Sequence, residues 1–216
     1  MKSIIGVSLA STTLAGNWTT SNNKLYYKGN ETVLHGFSTT CTEYLLRGIG
    51  LKCWASYNWN DYSNIITSLD SDTVNAVKGI FGKITDSGIK PSLRIPMTAS
   101  NWLGIETKAA KSNMAKYPKL HEQYQTMIGK IIDEFTGMGA VVILDLQWSD
   151  DDAGQTNMPL KSRSGTGGAI EFWESVSAMF KGNDHVFYEL FNEPYSNDVN
   201  RFIHGDSTYA GMLDMI

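Results

Sequence analysis

Apolar residues recur along this chain in two alternating rhythms. Val74, Val77, Phe81 and Ile84 fall at i, i+3, i+7 and i+10, a helical stripe that Gly88 is placed to end as a C-terminal cap. Leu120, Tyr124, Met127, Ile128, Ile131, Ile132 and Phe135 mark a second amphipathic helix, stopped by Gly137 and Gly139. Ile170, Trp173, Val176, Met179 and Phe180 mark a third, with Gly182 behind it. Between the stripes lie short apolar runs at Thr32–Phe37, Ser92–Ile95, Ala140–Leu146 and Val186–Phe191. Strands buried on both faces read as continuous apolar runs, so the order βαβαβαβ predicts a parallel sheet covered by helices, with right-handed crossovers.

A doubly wound sheet and a (β/α)8 TIM barrel both satisfy that order. No glycine-rich turn follows a strand directly, which leaves a dinucleotide fold unsupported. The polar residues favour the barrel. Ser38-Thr39-Thr40, Arg94-Ile95-Pro96, Gln147-Trp148-Ser149-Asp150 and Asn192-Glu193-Pro194 each fall at the C-terminal end of a predicted strand, where a barrel builds its active site. Four β/α units consume nearly all of the 216 residues, while a whole barrel typically runs to about 250 or more. The expectation is therefore the first half of a barrel with long loops.

Composition narrows the partners. The chain is 42% hydrophobic, shows no internal repeat or linker, and reads as one domain over residues 16–216. A net charge of −4 with no basic block argues against nucleic acid and against an anionic membrane surface. The longest clean apolar run, Ala140–Leu144, is far too short for a membrane span. Residues 1–15, with Lys2, Ile4-Ile5-Gly6-Val7 and Thr13-Leu14-Ala15, read as a short signal peptide or an N-terminal extension, and export would agree with the glycosylation pattern at Asn17 and Asn30. On that reading the protein is secreted. Cys41 and Cys53 lack the spacing of a zinc site; one disulfide and two free thiols both remain open.

Asn192-Glu193-Pro194 directly after an apolar strand is the strongest chemical signal. A carboxyl at the rim of an apolar core is partly desolvated, which suits it to protonating a leaving oxygen. The plain alternative is a glutamate capping the next helix. Val186–Tyr195 (VFYELFNEPY), Ala140–Ser149 (AVVILDLQWS), Ser92–Met97 (SLRIPM) with Trp102-Leu103, and Gly168–Phe180 (GAIEFWESVSAMF) together resemble segments of glycoside hydrolase family 5, the cellulases and mannanases, in that family's order. The resemblance runs from about Trp18 to the end of the chain. It implies a barrel that hydrolyses β-linked polysaccharide by a retaining mechanism with two carboxylates, and it implies no cofactor and no metal.

Carried over by that resemblance, Glu193 is the acid/base, Asn192 holds the sugar 2-hydroxyl, and Arg94 keeps the nucleophile ionised. Gln147 stands where the family usually has histidine; it can hydrogen-bond but not titrate. Retaining chemistry also needs a second carboxylate about 5–5.5 Å from the first, and the family places it on the seventh strand. Only 23 residues follow Glu193, and Glu43, Asp145 and Asp150–Asp152 do not have the nucleophile's position, so that carboxylate is expected beyond residue 216.

Trp54, Trp59, Trp102 and Trp148 follow predicted strands in loops, where an indole could stack on a sugar ring or simply pack. Trp173 reads as core, and His121 and His185 as structural. His204, after the fourth strand, could reach substrate. The whole reading is an endo-β-1,4-glucanase acting on β-glucan, with the isolated chain inactive. A β-mannanase, an exo-glucanase and a non-catalytic carbohydrate-binding barrel are the alternatives. A barrel isomerase acting on phosphorylated sugars would need a lysine or phosphate grip that the strand ends lack.

Overall fold

The computed structural model describes residues 17–39, 42–43, 54–57, 66–107, 111–149, 158–161 and 167–216. The expectations for residues 1–15, Cys41, Cys53 and Trp59 lie outside the described residues. The chain opens with three short antiparallel strands, β1 (Trp18–Ser21), β2 (Lys24–Tyr27) and β3 (Asn30–Glu31). β4 (Leu34–Ser38) follows, then an antiparallel pair of β5 (Ala55–Tyr57) and β6 (Ile66–Leu69). Next come α1 (Ser71–Asp86), β7 (Lys90–Thr98), α2 (Ala99–Leu103), α3 (Lys111–Lys116) and α4 (Leu120–Thr136). β8 (Val141–Trp148), α5 (Ala169–Phe180), β9 (Val186–Glu189) and α6 (Val199–His204) complete the order, with a 3-10 turn at Met212–Met215.

β4, β7, β8 and β9 form one parallel sheet in that order, the sheet expected from the apolar runs. Its two faces differ in chemistry because successive side chains alternate. Leu93, Ile95 and Met97 of β7 and Val142, Leu144 and Leu146 of β8 join one core cluster with Phe81 of α1, Ile128, Ile132 and Phe135 of α4, and Phe172 and Val176 of α5. Burying each such side chain stabilises the fold by about 1.5–3 kcal/mol. The opposite face carries Ser38, Arg94, Asp145, Gln147 and Glu189, which share the register of the intervening residues.

Two elements depart from the sequence expectation. On α5 the buried stripe is Ala169, Phe172, Trp173, Val176 and Phe180, while Met179 is half exposed; the helical period puts Met179 on the outer side. β9 ends at Glu189, two residues short of Phe191. There the backbone turns out of its ladder, and Asn192 N donates to Leu146 O at 3.0 Å.

The N-terminal strands were not foreseen. Their turns carry positive φ at Asn22, Asn23, Lys28 and Gly29, the backbone that two-residue hairpins of matching twist require. Trp18 Nε1 donates to Asp184 O at 2.6 Å, Tyr27 Oη meets His185 Nε2 at 3.1 Å, and Lys90 Nζ stands 4.4 Å from the Tyr27 ring centre. The hairpins thereby pack on residues at the N-terminal ends of β7 and β9. His185 is structural as expected, its Nδ1 lying 3.0 Å from Ala140 O.

Candidate active site

The polar face of the sheet converges on Arg94. Its Nε donates to Glu189 Oε2 at 2.7 Å and its Nη2 to Glu189 Oε1 at 3.0 Å, a two-pronged pair that the planar guanidinium is shaped to make. Nη2 also donates to Asn192 Oδ1 at 3.0 Å. Among the described residues Nη1 has long contacts, to Ser38 Oγ and Gln147 Oε1, both at 3.4 Å. Asp145 lies in register with Glu189 on the neighbouring strand. Its Oδ2 stands 2.9 Å from Arg94 Nη2, yet neither of its oxygens has the alignment of a hydrogen bond.

Burial decides the charges in this cluster. Asp145 is completely buried, and desolvation pushes its carboxyl up to about 8; Arg94 pulls it down, while Glu189 and Glu43 push it further up. Asp145 is therefore mostly protonated at neutral pH. Arg94 is held above its usual value, first by its hydrogen bonds to Glu189, against the opposing effect of burial and with help from Asp145 and Glu193. The working ion pair is Arg94 with Glu189.

Glu193 belongs to the same electrostatic group, since its charge acts on Arg94. Its backbone is left-handed at φ 47°, a conformation that costs a non-glycine L-residue roughly 1–2 kcal/mol. The strained turn comes where the chain leaves β9 and sets Glu193 at the carboxyl end of the sheet. Glu193 is exposed, which corrects the expectation of a partly desolvated carboxyl. The sheet closes over Asp145, which pairs with Glu189 in the ladder before the turn, and not over the Asn-Glu step.

Of the residues singled out in the sequence, Arg94, Gln147, Asn192 and Glu193 are thus brought together. Trp148 ends β8 beside them, half buried. Trp102 is not a sugar platform: it is fully buried, its Nε1 donates to Ser175 Oγ at 3.0 Å, and its ring packs edge-on against Tyr124 and Phe172. Trp54 is likewise buried, its ring edge-on to Phe135. Both indoles face the helix layer, where they join the core cluster. His204 is exposed at the end of α6, and its described electrostatic partner is Asp214, away from Arg94. Trp173 is core, as expected, and donates to Leu190 O.

Two members of the cluster escaped sequence reading. Glu189 lies inside an apolar run, and Asp145 enters the sequence reading only as a carboxylate without the nucleophile's position. Their signal was an acidic residue inside an otherwise apolar strand, on two adjacent strands. Among the described residues no group of three or more His, Cys, Asp or Glu is set to hold a metal ion.

Carboxylates and one arginine gathered on the outer half of parallel strands define an α/β protein of the TIM-barrel kind, with its polar site where barrels carry theirs. The model of the cellulase family, glycosyl hydrolase family 5, matches residues 28–210, and the chain belongs to that family. No curated protein matches the chain. Among solved structures, a hyperthermostable endocellulase studied for its disulfide bond is 18% identical, with a TM-score of 0.43 over 84% of this chain and 44% of that one. A cellotetraose complex of an endocellulase from Pyrococcus horikoshii is 17% identical, with a TM-score of 0.42 and the same coverage. The chain spans less than half the length of these structures.

Proposed function

We propose that this chain carries the acid/base half of a retaining glycoside hydrolase acting on β-linked polysaccharide, an endo-β-1,4-glucanase, secreted to meet its substrate. The observation that carries the reading is the hydrogen bond from Arg94 Nη2 to Asn192 Oδ1, which holds the Asn192-Glu193 step against the Arg94 guanidinium. Glu193, exposed at the strand end, is accessible to the glycosidic oxygen it protonates; it then takes a proton from water as the second step reverses the first. Asn192 faces the 2-hydroxyl. A cleft of about 230 Å³ lined by Tyr195, Asn197, Arg201 and Tyr209 opens just past Glu193 in the chain; the Arg201 guanidinium stacks on Tyr209 and pairs with Asp206, and the exposed Tyr195 ring is the face that suits a sugar.

The second carboxylate, in this reading, is supplied from outside these 216 residues. Glu189 is taken up by both prongs of Arg94, and Asp145 is buried and mostly neutral; neither is available to attack an anomeric carbon. The family's description as cellulases favours β-1,4-glucan over mannan. The test is Glu193→Gln in the assembled enzyme, assayed on carboxymethylcellulose and on mannan. Hydrolysis should fall by roughly 10²–10⁴-fold, the usual worth of a positioned acid, with the wild type preferring the glucan and lowering its viscosity before reducing ends accumulate. A Glu193→Gln enzyme with undiminished turnover would refute the assignment.

A further inference from the structure

Arg94 has more carboxylate around it than one positive charge needs. Glu189 on β9 binds Nε and Nη2, Asp145 on β8 lies 2.9 Å from Nη2 without hydrogen-bond alignment, and Glu193 acts on the guanidinium from the turn beyond β9. The remaining acidic group that acts on Asp145 is Glu43, itself buried. Two of these carboxylates are in register across adjacent strands, Asp145 opposite Glu189, yet their surroundings differ sharply: Asp145 is fully buried and Glu189 is 38% exposed. A charge is cheaper to keep where water reaches it, so the exposed member holds the negative charge and the buried member gives it up.

We propose that Glu189 is a positioning residue of the active site: by occupying Nε and Nη2 it fixes the guanidinium plane and leaves Nη1 as the edge that holds the anionic partner of the catalytic pair. Nη1 is the edge suited to that, since its contacts among the described residues, to Ser38 and Gln147, are at the outer limit of hydrogen bonding and yield readily to a carboxylate at about 2.7–2.9 Å. Asp145 is the reserve beneath. Neutral while Glu189 is in place, it becomes the arginine's counter-ion when Glu189 loses its charge, and the guanidinium then tilts inward toward β8. The role of Nη1 rests on the glycosidase reading; the division of labour between Glu189 and Asp145 does not.

Carbon-13 labelling of aspartate side chains in the 216-residue chain reads that division directly. In Glu189→Gln the Asp145 carboxyl should ionise at lower pH than in the wild type, because a repelling charge is gone and Arg94 is released to it; Glu189→Asp, too short to reach both nitrogens, should fall between. An Asp145 titration that stays in place in Glu189→Gln overturns the proposal. Should that variant fail to fold, the wild-type guanidinium spectrum decides: Arg94 should show separate, slowly exchanging Nε and Nη2 protons with a freely exchanging Nη1, and averaged Nη signals would contradict the two-pronged hold. In the assembled enzyme Glu189→Gln should lower kcat with little change in KM, as misplacement of a reacting group does. Full activity of Glu193→Gln would remove the glycosidase reading while leaving the Asp145 titration as the judge of Glu189.

Discussion

Asp145 shows how one buried side chain ties pH to both stability and site. Its folded-state value of about 8 lies above the ordinary aspartate value near 3.9, so the folded chain binds that proton more tightly than the unfolded chain. The stabilisation is fully present below about pH 4 and is lost as pH rises through 8. Urea midpoints measured between pH 5 and 9 should therefore decline, and Asp145→Asn, which cannot ionise, should flatten that decline. An identical slope in the variant would show that Asp145 is not the group responsible. Sequence alone made Arg94, Gln147, Asn192 and Glu193 visible, because each stands at the polar end of an apolar run. It did not reveal Glu189, whose partner lies 95 positions away in the chain; only strand pairing brings the two together.

Among elements, α1, α4, α5 and the parallel strands were legible because their apolar period is strong, and their bounds moved by only a few residues. The loop tryptophans were not, since an indole after a strand carries no sign of whether the loop folds outward or back. Trp102 sits on α2, which Thr98 caps by accepting from Asn101 N at 3.3 Å and Gly104 ends with φ 69°. A Cβ at Gly104 would lie 2.8 Å from the His121 ring, so the turn needs glycine for space as well as for its backbone. Trp102 then pins α2 to α5 through Ser175 and to α4 through its carbonyl, which accepts from Gln125. Trp102→Ala should cost about 3–5 kcal/mol of stability, as removal of a buried tryptophan does, seen as a lower urea midpoint. A variant as stable as the wild type would return Trp102 to the list of sugar-binding candidates.

At the scale of the whole molecule, the sheet has two open sides among the described residues, β4 and β9. Tyr188 of β9 is 36% exposed, and Trp173, Leu190 and Ile216 line an open cleft beside it. Unpaired strand edges with apolar neighbours recruit other strands. Expressed as these 216 residues, the chain should run as a dimer or larger species in light scattering and hydrolyse no β-glucan; an active monomer at all concentrations would contradict the account of four units from a larger barrel. The central claim, that Glu193 is the acid/base, is tested most directly by azide rescue of Glu193→Ala in the assembled enzyme, using an aryl β-glycoside that leaves without protonation. Attack of azide on the glycosyl-enzyme should restore turnover and give the β-glycosyl azide, retained in configuration, which the anomeric proton coupling identifies. The α-glycosyl azide would make Glu193 the nucleophile and contradict the account.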